Sequence, residues 1–187
     1  MVYLTALWLP ILLSAVAVFI GSSVIHMVLG YHKRDYSEMP EEDAVLAAMR
    51  QGAPKPGFYP IPCSTDPKEL SNPEMVKKFE EGPVAFVTVM PNGVPNMGKI
   101  LGIWFVYCLV VAIFIAYLTG RTVPAGADYL LVFRVAGTAA FLAFAGSTAT
   151  ESIWKGQPWS NTARHTLDGL IYALLVGGVF GSLWPSA

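Results

Sequence analysis

The chain has 187 residues, of which 54% are apolar and 13% are charged, with a formal net charge of −1. That charged share is about half that of an ordinary soluble domain, and the lack of clustered Lys and Arg excludes a nucleic-acid partner. The only cysteines, Cys63 and Cys108, sit in a polar and an apolar stretch, so neither a Cys/His metal array nor a disulfide between them is expected.

The apolar residues are gathered into four blocks, a pattern of membrane spans and not of a soluble core. The first runs from about Tyr3 to Gly30. It is far longer than the ~7–15 residue core of a signal peptide and has no basic residue before it, so it reads as a retained span. At ~1.5 Å per residue it crosses a ~30 Å hydrocarbon layer and protrudes at one end, where Tyr31, His32, Lys33 and Arg34 fall at headgroup level.

Residues 31–96 form a proline-rich polar segment. Glu41, Glu42 and Asp43 place negative charge on the first turn of a helix that Gly52 stops. Asn72 as N-cap, Pro73 at the first helical position and Gly82-Pro83 as terminator predict a second helix. Between the two, the prolines of residues 53–67 hold the chain extended. The β-branched run Val84–Met90 reads as one strand, which either pairs with the extended Phe58–Pro62 piece or lies against another protein or the helix ends.

Gly93 to Lys99 fits G-x-x-x-x-G-K, the pattern of a phosphate loop. Ile100 stands where a Ser or Thr hydroxyl is needed, and Pro95 lacks an amide to cradle phosphate. The stretch therefore reads as a turn into the second span, with Lys99 reaching a lipid headgroup.

The second span covers about 97–119, the third 128–150 and the fourth 163–184, each near the ~20 residues a crossing requires. Trp8, Trp104, Trp154, Trp159 and Trp184 fall near the span ends, where an amphipathic ring prefers the headgroup layer. Lys33, Arg34, Arg50, Lys55, Lys68, Lys77, Lys78, Lys99, Lys155 and Arg164 lie on one side and Arg121 on the other, so the basic side should be cytoplasmic and both termini non-cytoplasmic. The expected fold is an all-α membrane protein: a first transmembrane helix over 1–30, a cytoplasmic segment over 31–96 with two short helices and one strand, and three transmembrane helices within 97–187. It is placed as a multi-pass protein of a bacterial inner membrane.

Three groups of residues are candidates for function. His26, deep in the first span, and His165, at the start of the fourth, are predicted near the same side and could ligate a haem or a chlorophyll magnesium; a lone intramembrane histidine is more often bonded to a neighbouring helix, so His26 alone is kept as a cofactor-binding candidate and no cofactor or metal is expected. Glu151, His165 and Asp168 could converge where the third and fourth spans meet and relay protons, against the plainer reading that Glu151 pairs with Lys155 or Arg164. Gly169, Ala173, Gly177 and Gly181 form a small-x-x-x-small stripe for helix packing, with Ala139, Ala143 and Ser147 as the expected facing surface.

Through GYHKRDY (30–36), EEDAVL (41–46), PEMVKKFEEGPV (73–84), PNMGK (95–99) and SIWKGQPW (152–159) the chain resembles, over its whole length, a widespread family of bacterial four-span integral membrane proteins. The resemblance implies no catalytic residue. The expected function is a non-enzymatic accessory subunit that docks through its helices and cytoplasmic segment onto other membrane subunits and lipid. Respiratory complexes and bacterial photosynthetic reaction-centre–light-harvesting complexes are the expected hosts, the photosynthetic one preferred. The rival is a small transporter or membrane enzyme using Glu151, His165 and Asp168.

Overall fold

The computed structural model describes residues 1–187. In chain order its elements are a 3₁₀ turn (Leu4–Leu7), α1 (Trp8–Ser23), a stretch of π-helix (Val24–Leu29), a 3₁₀ turn (Tyr31–Asp35), α2 (Glu42–Gly52), β1 (Gly57–Ile61), a 3₁₀ turn (Pro67–Ser71), α3 (Pro73–Glu81), β2 (Ala85–Val89), α4 (Met97–Thr122), α5 (Tyr129–Ala145), α6 (Thr148–Lys155) and α7 (Trp159–Ser182). The chain divides into two compact units, Met1–Tyr36 with Asn96–Ala187, and Ser37–Pro95.

The first unit contains four helical stretches long and apolar enough to cross a membrane, Leu4–Leu29, Met97–Thr122, Tyr129–Lys155 and Trp159–Ser182. The third outruns its expected end because the helix resumes as α6 after a break at Gly146 and Ser147, poor helix formers that loosen the winding without stopping it. α7 starts earlier than expected, directly after Pro158.

α5 and α7 make the most extensive helix pair, and α1 packs on both α4 and α7. Val132, Ala136 and Ala140 of α5 are fully covered against Ala173, Val176 and Phe180 of α7. In lipid, close van der Waals fit holds such a pair, and small residues permit it. A Cβ built on Gly169 would meet Ala145 Cβ at 2.6 Å, one on Gly177 would meet Phe133 at 3.0 Å, and one on Gly181 would meet Tyr129 at 2.7 Å. The face of α5 that receives the stripe thus carries Tyr129, Phe133, Gly137 and Ala145, and Ala143 and Ser147 point outward instead. Small residues occur on more than one face of α5, so their spacing alone did not select the packed one.

The first unit reaches to Tyr36, six residues past the expected domain limit at residue 30. Gly30 adopts φ +64°, a left-handed conformation that ends the first span and reverses the chain, so Tyr31–Asp35 fold back as a 3₁₀ turn.

The second unit contains a two-stranded antiparallel sheet, so the fold is mostly, not wholly, α. β1 pairs with β2 in the register Gly57 to Val89 and Ile61 to Ala85, and the Phe58 and Phe86 rings stack 5.4 Å apart. The single expected strand thus has the Phe58 stretch as its partner. α3 starts where the Asn72 side chain accepts the Glu74 amide at 3.0 Å, with Pro73 at its first position. None of the residues of this unit is buried. Cys63 is exposed, Cys108 is buried in the first unit, and both are free thiols.

Candidate functional site

The end of the first unit opposite its chain termini holds a buried polar cluster. Two short segments build it. The first is the end of the first span, where the π-helical winding of Val24–Leu29 and the turn at Gly30 bring His32 back onto His26; the two rings stack 4.3 Å apart and within 5° of parallel. The second is the opening of α7, where Asn161, Arg164, His165 and Asp168 share one helical face at i, i+3, i+4 and i+7.

Asp168 is 3% exposed, and Tyr31 donates its hydroxyl proton to Asp168 Oδ1. Its Oδ2 lies 2.8 Å from His32 Nε2 and 3.8 Å from His165 Nδ1. Asp35 accepts from Arg164 Nε on Oδ1 and from His32 Nδ1 on Oδ2 at 2.5 Å. Arg164 in turn donates from Nη2 to Asn161 Oδ1 at 2.6 Å, and Asn161 Nδ2 donates to the Asp35 carbonyl at 3.3 Å. His165 stacks on His32 at 5.2 Å. His32, expected at headgroup level, is instead 7% exposed, because the fold-back at Gly30 carries it under α7.

Tautomers follow from these partners. A carboxylate only accepts, so His32 Nδ1 carries the proton it shares with Asp35. A carbonyl only accepts, so the His26 Nδ1 that lies 3.0 Å from Ser22 O is also the protonated nitrogen. His32 Nε2 is buried and, although close to Asp168 Oδ2, makes no hydrogen bond of acceptable angle.

Burial raises the pKa of Asp35, but the hydrogen bonds from His32 and Arg164 and the guanidinium charge outweigh it and hold the carboxyl below its ordinary 3.8. Burial, and then the bond to the Asp168 carboxylate, push the Tyr31 phenol well above its ordinary 10. The signs give a pH profile. Asp35 stabilises the fold above pH 3.8, and that stability is lost as pH falls below it. Tyr31 stabilises the fold fully below pH 10, and that contribution is lost as pH climbs above it. The melting temperature in detergent is therefore expected to fall at both extremes. Tyr31→Phe should flatten the alkaline limb while leaving the acid limb in place.

Beside the cluster lies a cavity of about 910 Å³. His26, His165 and Asp168 stand at its polar part, and Trp104, Phe144 and Tyr172 line its apolar part. Phe144 and Tyr172 meet edge to face at 5.4 Å, and Trp104 is fixed by donating from Nε1 to Ser22 Oγ at 2.8 Å. Trp104 thus serves as a wall of the cavity.

Of the residues picked from sequence, His26, His165 and Asp168 come together. Glu151 also lines the cavity, but its carboxylate forms an ion pair with Lys155 at 2.7 Å on the exposed side of α6. Lys99 lies in the first turn of α4, exposed, its amide held by the Asn96 side chain at 3.0 Å. Tyr31, His32, Asp35 and Arg164 were missed as site residues. For the first three the signal was the density of titratable groups in GYHKRDY directly after a helix-ending glycine.

Fold and cluster together define a multi-pass helical membrane protein with a buried histidine–aspartate site at one end of its bundle. No family model, curated protein or solved structure matches the chain.

Proposed function

We propose that this chain is a non-catalytic binding protein of a bacterial inner membrane that holds an amphipathic, lipid-type molecule in the cavity beside its histidine–aspartate cluster. The observation that carries the reading is the cavity's division into an aromatic wall (Trp104, Phe144, Tyr172) and a polar end (His26, His165, Asp168). Its volume of about 910 Å³ suits one molecule of that kind. Leu7, Val123 and Phe180 fill the other end of the bundle, which favours a blind pocket over a transport path. The excess of Lys and Arg at the cluster's end favours placing that end in the cytoplasm and the termini on the opposite side.

The experiment is native mass spectrometry of the full chain released gently from membranes. A stoichiometric adduct of amphipathic character is expected. Leu101→Trp, which puts an indole into the cavity from its α4 wall, should remove the adduct while the chain still folds and keeps a cooperative thermal transition. A wild-type chain with no adduct and no affinity for added membrane lipids would overturn the reading.

A second reading, the accessory subunit of a larger membrane complex, is favoured by the second unit. A segment of this size with no buried residue lacks a core of its own, and Phe58, Ile61, Leu70, Val84, Phe86 and Met90 are each about half exposed or more. The same gentle purification reads it out. Co-migrating chains would name the host, photosynthetic or respiratory, and a protein that runs alone would count against it. The two readings are compatible, since a subunit can also carry a bound molecule.

A further inference from the structure

We infer that His26, His32 and Asp168 form a binding site for a divalent transition-metal cation of the zinc or iron(II) class, opening onto the cavity. The inference does not depend on what occupies the cavity.

Four observations carry it. His32 Nε2 is buried, has no hydrogen-bond partner, and lies 2.8 Å from Asp168 Oδ2. With the proton on Nδ1, that nitrogen stands bare beside a carboxylate oxygen, a close approach of two electron-rich atoms that a cation held by both would relieve. Next, each ligand is oriented from behind as metal ligands are. Asp35 holds His32 Nδ1, the Ser22 carbonyl holds His26 Nδ1, and Tyr31 holds Asp168 Oδ1, leaving Nε2, Nε2 and Oδ2 free. Third, the cluster's fixed charges are unbalanced: two carboxylates, Asp35 and Asp168, face one guanidinium, Arg164, and a buried uncompensated charge is costly. Finally, the ligand set is two imidazoles and one carboxylate with a cavity on the open side, the donor set of zinc hydrolases and of non-haem iron sites.

One ligand atom from each of the three side chains falls within 4.8 Å of the others. Two nitrogens on one tetrahedral zinc lie about 3.4 Å apart, given bonds of about 2.1 Å. A closure of up to about 1.4 Å is required, and His26, exposed on the cavity side, can supply it by tilting out of its stack on His32. The neighbouring set of His32, Asp35 and His165 also clusters. It is the weaker site, because both oxygens of Asp35 are already engaged by Arg164 and His32.

The test uses the full chain, tag-free, in detergent, carrying Cys63→Ser so that the exposed thiol does not compete, and stripped by a chelator. Zn²⁺ is titrated calorimetrically, and Co²⁺ is titrated in parallel as a coloured probe whose visible bands report nitrogen and oxygen coordination. One equivalent is expected to bind. Because metal that binds the folded state alone raises its stability, Zn²⁺ should also raise the melting temperature. His26→Ala removes an exposed ligand, leaves the buried bonds untouched, and should weaken binding at least about 100-fold and abolish the thermal shift. His32→Ala and Asp168→Asn should do the same, but His26→Ala decides if those variants do not fold. Absence of saturable Zn²⁺ binding would overturn the inference. Binding unchanged in His26→Ala would also overturn it.

Discussion

Asp168→Ala is expected to lower the unfolding free energy by about 1–3 kcal/mol, the cost of leaving one buried hydrogen-bonding group without its partner. The carboxylate is 3% exposed and is approached by three side chains: Tyr31 donates to one oxygen, and His32 and His165 face the other. Alanine would leave the buried Tyr31 hydroxyl without its acceptor, at about 1–3 kcal/mol for the orphaned group. Asp168→Asn keeps an oxygen to accept from Tyr31 and should lose less than half as much. Equilibrium unfolding in mixed micelles measures both. An alanine variant as stable as the wild type would show that the cluster contributes nothing to the fold.

Gly169→Leu should cost about 3 kcal/mol, at the upper end for overpacking a close contact. A Cβ at this position would already stand 2.6 Å from Ala145 Cβ and 3.1 Å from Ala145 N, so the clash includes backbone that cannot swing aside. Because Gly169 follows Asp168, a shift of α7 away from α5 would also disturb the polar cluster. Gly178→Ala is the contrast. Its nearest neighbour would be the Tyr129 hydroxyl at 3.9 Å, and alanine is the better helix former by about 1 kcal/mol. That variant should be neutral or more stable in the same unfolding assay. Equal losses at both positions would mean that glycine content, and not contact with α5, sets the cost.

Much of the architecture was legible because lipid imposes a coarse rule. Spans need about 20 apolar residues, and the blocks ending near Gly30, Thr119, Thr150 and Trp184 supply them whatever their detailed packing. α3 was legible for a different reason. Asn72, Pro73 and Gly82 each act locally, through a cap, a fixed φ and a stop. The site was legible only in part. Asp168 and His165 share a helix, so their proximity follows from spacing, whereas His32 and Asp35 reach Asp168 and Arg164 across more than 120 residues of chain. That meeting depends on the sign of φ at Gly30 and on π-helical winding, and neither has a hydropathy signature. For Glu151 the plainer of the two readings holds, since Lys155 one helical turn away pairs with it. The strand at 84–90 was found, but of its possible partners the residues around Phe58 could be chosen only once the register was known.

The π-helical winding of residues 24–29 amounts to one surplus residue within a turn of the first span. In a kindred chain shorter by a single position there, ordinary winding would return and everything downstream would swing by about 100° around the axis. Tyr31 and His32 would then point away from α7, although each of these side chains would still be encoded. Kinship of this site is thus a matter of residue count within one turn as much as of residue identity. Two sequences that align on histidines and aspartates alone can differ in whether those groups ever meet.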